Sequence, residues 1–275
     1  MYRSKQTKCP FKNLSPALPA HYDCDVSSSA YFHPSPLLEG IIIKRKTQFT
    51  IEVSYQGQEY RCHCPTTGNV GGIALDKRPC LLSESTDKNR KTAFTVEAIS
   101  LNQPSDSQKS WIGINQNAAN RYVDHYLKNG SFEAMVGKEQ TVLREQVLGA
   151  SKLDFLVGNT YLEVKTPLQF LQIDIPPYVK RKNSSPFSSV DRLVKHVRDL
   201  TKSLQTHQRA ILLLCFLYDN PGFRVAQPST RYKEVSNLVY DCLHRGLEMW
   251  QANFQMTPEG VAFGKYFQID PNVLG

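Results

Sequence analysis

From Leu37 onward the chain reads in short alternating runs of apolar and polar residues, a period that predicts β-strands. Gly40 to Lys46 is apolar at its start and ends in three cations, Lys44, Arg45 and Lys46. Phe49 to Tyr55 alternates, Gln56-Gly57 supplies a turn, and Glu59 to Cys64 pairs back as a hairpin. Arg78 to Ser83 and Ala93 to Leu101 add two strands. About five short strands within roughly seventy residues predict a small OB-like β-barrel, a platform that often binds nucleic acid.

The period then changes. Trp111 to Asn115 reads as a strand entering an Asn-rich turn, and Asn117 is the expected cap of a helix over Ala118 to Lys128 that stops at Asn129-Gly130. Glu145 to Lys165 reads as two strands around Gly158-Asn159, a two-residue hairpin signal. A tight turn there sets Val157 opposite Thr160, Phe155 opposite Leu162 and Asp154 opposite Glu163. Alternation then places Lys152, Asp154, Glu163 and Lys165 on one face and Leu153, Phe155, Leu162 and Val164 on the other. Val190 to Leu204 is predicted as a helix that buries Val190, Leu193, Val194, Val197, Leu200 and Leu204 and exposes Arg192, Lys195, His196, Arg198 and Lys202. Ala210 to Tyr218 is a buried strand, Tyr232 to Arg245 a helix ended by Gly246, and Leu247 to Gln255 and Val261 to Phe267 close the sheet. Helices between strands predict a partly parallel α/β sheet. The expected organisation is an irregular, proline-rich extension over 1–36, an OB-like barrel over 37–108 and an α/β domain over 109–275.

The hairpin carries an electrostatic problem. Directly opposed strand residues have Cβ atoms roughly 4.5–5.5 Å apart, and like charges there repel. Two carboxylates so placed call for a proton or a cation between them, and a hard divalent ion such as Mg²⁺ or Mn²⁺ is the economical partner. Lys165, on the same face, would orient a water or stabilise developing charge. Asp…Glu-x-Lys on a hairpin resembles the active-site pattern of the PD-(D/E)xK nucleases, with Glu145 a candidate third carboxylate. The alternative is a solvated sheet face on which the lysines neutralise the carboxylates.

Net charge changes the picture next. The 275 residues carry +8, with an isoelectric point of about 9.1, which points to an anionic partner, nucleic acid first. Lys88-Asn89-Arg90-Lys91 is a second basic cluster on the barrel, and from Lys180 to Arg209 eight Lys or Arg face two Asp. His63-Cys64-Pro65-Thr66-Thr67-Gly68 either binds phosphate or builds a turn. Asn120 and Arg121 either meet an anion at a helix N-terminus or cap and pair locally. The longest apolar run, Ala210 to Tyr218, is too short to span a membrane, and Met1 to Ser15 has no apolar core of a signal peptide. The seven cysteines are read as reduced, in a cytoplasmic protein. Cys62-His63-Cys64 has no second ligand pair at zinc spacing and is read as buried thiols.

Seven segments, in order, carry a family resemblance: His63-Cys64-Pro65…Thr67-Gly68, Asp87-Lys88-Asn89-Arg90-Lys91, Gly113-Ile114-Asn115 with Ala119-Asn120-Arg121, Ser151-Lys152-Leu153-Asp154-Phe155, Tyr161-Leu162-Glu163-Val164-Lys165, Lys195-His196-Val197-Arg198-Asp199-Leu200 and Pro258-Glu259-Gly260. Over about residues 38–263 the chain resembles the sugar fermentation stimulation protein A (SfsA) family. That resemblance implies an OB-like domain followed by a PD-(D/E)xK, restriction-endonuclease-like domain, and DNA binding with little sequence preference. It carries metal roles to Asp154 and Glu163, a catalytic role to Lys165 and a further metal role to Glu145. The chain departs from the family pattern at Thr66, where Asn is usual, at Val70, where Met is usual, and at Lys152, where Arg is usual. Pro186 to Leu193 keeps Arg192 but lacks the usual acidic residue and glycine, and residues 1–36 have no counterpart.

The function expected from the sequence is therefore a DNA-binding, metal-dependent nuclease. Asp154, Glu163 and the Val164 carbonyl would hold the ion, and Lys165 would assist the attacking water. Lys44, Arg45, Lys46, His63, Lys88, Arg90, Lys91, Asn120, Arg121, Lys152, Arg192, Lys195 and His196 would grip the nucleic-acid backbone. The alternatives are a non-catalytic DNA-binding regulator of sugar-metabolism genes on the same fold, and a nuclease-like domain that serves as an RNA or protein partner module.

Overall fold

The computed structural model describes residues 22–23, 30–87, 89–138, 140–149, 151–182, 191–224 and 232–271. Two short strands, β1 (Tyr22–Asp23) and β2 (Tyr31–Phe32), precede a run of five: β3 (Leu38–Thr47), β4 (Thr50–Tyr55), β5 (Gln58–His63), β6 (Pro79–Glu84) and β7 (Phe94–Ile99). These five are ordered β5-β4-β3-β6-β7, and the pairing of His63 with Thr95 joins β5 to β7 and closes a barrel. The alternating apolar positions Ile51, Val53, Cys62, Cys80, Leu82 and Val96 fill its interior. Cys62, Cys64, Cys80, Cys215 and Cys242 are buried free thiols, and burial pushes the Cys62 thiol up to about 11.

The second layer system follows β8 (Ile112–Gly113), which pairs with β7. It consists of α1 (Gln116–Lys128), α2 (Glu133–Val136), β9 (Val142–Leu148), β10 (Ser151–Val157), β11 (Thr160–Lys165), α3 (Asp191–Lys202), β12 (Arg209–Phe216), α4 (Tyr232–His244), β13 (Leu247–Met256) and β14 (Gly260–Gln268). The sheet order is β1-β14-β13-β12-β11-β10-β9. β11, β12 and β13 run parallel, as the two crossover helices α3 and α4 require. β10 and β9 are antiparallel additions at one edge. Alternate residues of β11 and β12 enter different cores. Leu162, Val164, Ile211 and Leu213 pack with α1, whereas Tyr161, Leu212 and Leu214 pack with α3 and α4. The α3/α4 core is continuous with the barrel interior through Val70, Ile73, Leu168 and Leu171. Among the described residues no helix is long and apolar enough to cross a membrane.

Several expectations are corrected. The extension before Leu37 is not wholly irregular, because β1 and β2 add to β14. α1 starts at Gln116 with Asn115, not Asn117, at the cap position, and Asn115 does not cap with its side chain. Its Nδ2 donates to the buried Glu97 carboxylate at 2.7 Å, a charge-assisted bond that fixes the amide, and its Oδ1 is buried without a partner. β9 and α2 were not expected. The expected helix over 190–204 is α3 followed by one 3₁₀ turn over Ser203–Gln205, and Val190 lies outside the described residues.

The barrel meets the second sheet at Gly113, whose N–H donates to the Leu217 carbonyl at 2.8 Å. A Cβ at this position would lie 2.5 Å from Leu217 Cβ, so only glycine permits the approach. Gly113→Ala is expected to destabilise the chain by about 1–3 kcal/mol, the usual range for overpacking. Chemical denaturation checks this; an unchanged midpoint would show that the junction yields.

Candidate active site

The sequence of β10 and β11 pairs in the predicted register as far as it goes: Val157 with Thr160 and Phe155 with Leu162. Beyond Phe155–Leu162 the strands part. β10 stays paired with β9 to Ser151, and β11 stays paired with β12 to Lys165. The Asp154 carboxylate stands in the opening. Its Oδ2 accepts the Val164 N–H at 2.8 Å, a donor that continued pairing would have given to a backbone carbonyl. Its Oδ1 accepts Asn120 Nδ2 from α1 at 2.7 Å. On β9, Glu145 has φ +55°, rare for a residue with a side chain, and the register has no Asp154–Glu145 pair.

This break corrects the face assignment. Leu153 packs in the α3/α4 core, and Phe155, Leu162 and Val164 pack in the α1 core. Strict alternation would have kept all four together, and it fails where a side chain replaces a ladder hydrogen bond.

Glu163 comes from β11 and is 1% exposed. Its Oε1 accepts from Lys165 Nζ and lies 2.5 Å from His196 Nδ1 on α3. An ionised carboxylate offers only acceptors, so the imidazole donates from Nδ1. The second oxygen, Oε2, is buried and has no partner. Burial, and then the nearby Glu163, push the Asp154 carboxyl above the ordinary range, against the pull of the Val164 amide, Lys165 and Asn120. A buried acceptor without a donor next to a carboxylate that resists ionisation is a donor set that fits a hard cation.

Glu145 is not brought to this pair. Its carboxylate is exposed and paired with Lys152 at 2.5 Å, which holds its pKa below the usual range. Among the described residues no group of three or more His, Cys, Asp and Glu stands ready to hold a metal. His196, expected on the exposed basic face of α3, is 7% exposed and turned to Glu163. The signal was present: Leu193, His196, Val197 and Leu200 fall at i, i+3, i+4 and i+7, so position 196 lies on the buried stripe. Asn120, expected to meet an anion, is committed to Asp154.

The expected basic grip divides in the same way. Arg45 is half-buried and donates to the carbonyls of Thr47, Gln48, Thr66 and Gly68 at 3.2, 2.9, 2.5 and 2.7 Å. It therefore clamps the turn over His63 to Gly68. Its neighbours Lys44 and Lys46 point outward and pair with Glu52 at 3.6 and 3.2 Å. His63 is half-buried; burial and then Arg90 lower its pKa. Arg90, Lys91, Lys152 and Lys195 are exposed. Lys88 and the Arg192 side chain lie outside the described residues. Arg121 and two cations that the sequence reading missed, Lys128 and Arg144, border a surface depression on the outer face of α1. Arg144 sits on β9 opposite Phe155, one residue from Asp154.

The model of the SfsA N-terminal OB domain matches residues 43–114, and that of the sugar fermentation stimulation protein RE domain matches residues 117–260. The chain belongs to the SfsA family. A sugar fermentation stimulation protein homolog of Synechococcus sp. (strain JA-2-3B'a(2-13)) is 31% identical over 244 residues, covering 87% of this chain and 95% of that one. The homolog of Nostoc punctiforme (strain ATCC 29133 / PCC 73102) is 31% identical over 245 residues, covering 85% and 95%. The structure of Pyrococcus furiosus SfsA in complex with Ca²⁺ superposes with a TM-score of 0.65 at 16% identity, covering 86% of this chain and 98% of that one. The fold is thus an OB barrel followed by a restriction-endonuclease-like α/β domain, and Asp154, Glu163 and Lys165 lie in the latter.

The raised pKa of Asp154 has a consequence for stability. With a folded pKa above the unfolded value, the folded state holds more protons than the unfolded one between the two values. Stability contributed by this group is therefore lost as pH rises through that window. Asp154→Asn removes the charge and keeps one acceptor for Val164, and Asn120 can turn its amide to match. In EDTA the variant is expected to melt a few degrees higher than wild type at pH 7, with the gap closing below pH 4. A melting point equal to wild type at both pH values would show that Asp154 carries no burial cost.

Proposed function

We propose that the chain binds DNA with little sequence preference and hydrolyses phosphodiester bonds with a divalent cation, Mg²⁺ or Mn²⁺, held by Asp154 and Glu163. The observation that carries this reading is the unpartnered, buried Glu163 Oε2 beside the Asp154 carboxylate. The Ca²⁺ complex of the Pyrococcus furiosus protein supports a cation-binding site in this family. Two carboxylates leave the rest of the coordination shell to the Val164 carbonyl, water and a phosphate oxygen. Mg²⁺ suits this arrangement, because it keeps several waters and takes one or two carboxylates together with substrate oxygens. Bound there, the ion would supply a Lewis acid for the phosphate and lower the pKa of a water.

The chain's own residues do the rest. Asn120 and the Val164 amide fix the Asp154 carboxylate by one donor on each oxygen. Lys165 has 30% of its side chain exposed, so its ammonium lies between Glu163 and solvent, where an entering phosphate or hydroxide would meet it. Arg121 and Arg144 line the depression beside α1, and Arg90, Lys91 and Lys195 are further exposed cations that a phosphate backbone would meet. Such contacts position a phosphate backbone without reading bases.

Supercoiled plasmid and short single- and double-stranded DNA incubated with Mg²⁺ or Mn²⁺ are expected to be cut, and EDTA to stop it. Asp154→Ala and Lys165→Ala are expected to lose turnover by at least about a hundredfold, as when a transition-state donor is removed, and to keep binding. No cutting on any substrate, with salt-sensitive binding unchanged in both variants, would leave a DNA-binding protein on a nuclease fold. A clear preference for RNA at matched salt would replace DNA as the partner.

The binding surface has its own test. Replacing Arg121 and Arg144 by Gln is expected to reduce the slope of log K against log salt by about 0.7–0.9 for each residue, one released counterion per lost phosphate contact. An unchanged slope would move the nucleic acid off this side of α1.

A further inference from the structure

We infer that His196 is a positioning residue for Glu163. By donating from Nδ1 to Oε1 it turns Oε2 toward the cation, and so sets how tightly the carboxylate pair binds that ion. The inference rests on the cation reading of Asp154 and Glu163 proposed above, and it assigns His196 away from the nucleic-acid surface.

The two oxygens of Glu163 are treated unequally. Oε1 has two donors, Lys165 Nζ and His196 Nδ1, and Oε2 has none. A glutamate side chain has a terminal torsion that turns freely, so an unclamped carboxylate presents either oxygen, or neither, to a ligand. Lys165 is a weak clamp, because 30% of its long side chain is exposed. His196 is a firm one. It is 7% exposed and comes from the middle of α3, next to Val197, which packs with Leu200 into the α3/α4 core. Its ring is therefore held by the packing of the helix and not by solvent.

A purely structural role, in which the imidazole only offsets the burial of Glu163, predicts a loss of stability without a change in cation affinity. An imidazole at this point adds one thing to packing, a donor aimed at a single carboxylate oxygen. Partners of this kind hold a ligating group in the orientation that a cation needs, and their loss typically costs about 10–100-fold in metal affinity.

The test is calorimetric titration of Ca²⁺ and Mn²⁺ into the full chain without nucleic acid, on wild type, His196→Leu and His196→Asn. Leucine keeps the volume and removes the donor. The Asn amide nitrogen stands close to where Nδ1 stood. His196→Leu is expected to bind both ions about 10–100-fold more weakly, His196→Asn close to wild type, and both to melt cooperatively in EDTA. Equal affinity in wild type and His196→Leu overturns the inference, as does an Asn variant as weak as the Leu one. A wild type that binds neither ion overturns the cation reading itself, a result distinct from either. If His196→Leu fails to fold, the Asn variant decides: retained affinity supports the donor role and a loss overturns it.

Discussion

The structure of the site depends on one hydrogen bond, from the Val164 amide to the Asp154 carboxylate. In a regular antiparallel ladder that amide would meet a backbone carbonyl of the neighbouring strand. Here a side chain takes its place, and the two strands separate. The separation lets β11 remain in the parallel stack with β12 while β10 turns away with β9. It also draws a carboxylate into the sheet, where burial and Glu163 both oppose its charge. Asn120, reaching from α1, supplies the second donor that makes this arrangement tolerable.

The two helical layers act on the carboxylate pair from opposite sides. α1 holds Asp154 through Asn120, and α3 holds Glu163 through His196. Each contact requires its helix to lie at a fixed height over the sheet. That height is set by apolar packing: Ala118, Ala119, Tyr122 and Val123 on one face, Val197 and Leu200 on the other. The barrel contributes through the continuity of its interior with the α3 face, and through Gly113, which permits the close approach at Leu217. The core thus positions the polar groups, and the polar groups decide which oxygens remain available.

Much of this was legible in the chain. The barrel strands and the hairpin register follow from period two and from turns that fix its phase, and the parallel strand of Ala210 to Tyr218 follows from an unbroken apolar run, because both of its faces are buried. The cores of those elements obey a local rule, and a local rule can be read from sequence. The parts that were not legible depend on partners distant along the chain. β9 reads Val-Leu-Arg-Glu-Gln-Val-Leu, without alternation, because it is an edge strand with Leu143 and Val147 exposed. The switch of Leu153 to the other core needs the Asp154–Val164 contact, which no periodicity contains. Residue type alone assigns Arg45 and His196 to the surface, whereas phase puts Arg45 opposite to Lys44 and Lys46, and His196 among Leu193, Val197 and Leu200. Phase was the better guide to their environment than charge.

The same reasoning separates the roles of the basic residues. A cation whose donors are committed to backbone carbonyls, as in Arg45, has little left for a phosphate. One paired with a single exposed carboxylate, as in Lys44, Lys46 or Lys152, exchanges that partner at little cost, since surface pairs are worth about 0–1 kcal/mol. The net charge of +8 therefore does not say which cations are free to meet an anion. Arg45 is withdrawn from that set, and Arg144 and Lys128 are added at the surface depression beside α1. Arg144 reaches that depression from β9, the strand that stays paired with β10 on both sides of Asp154. Charge thus has two distinct uses in this chain: Arg45 commits its donors to the fold, while the carboxylate pair keeps one buried oxygen, Glu163 Oε2, to which the protein gives no donor.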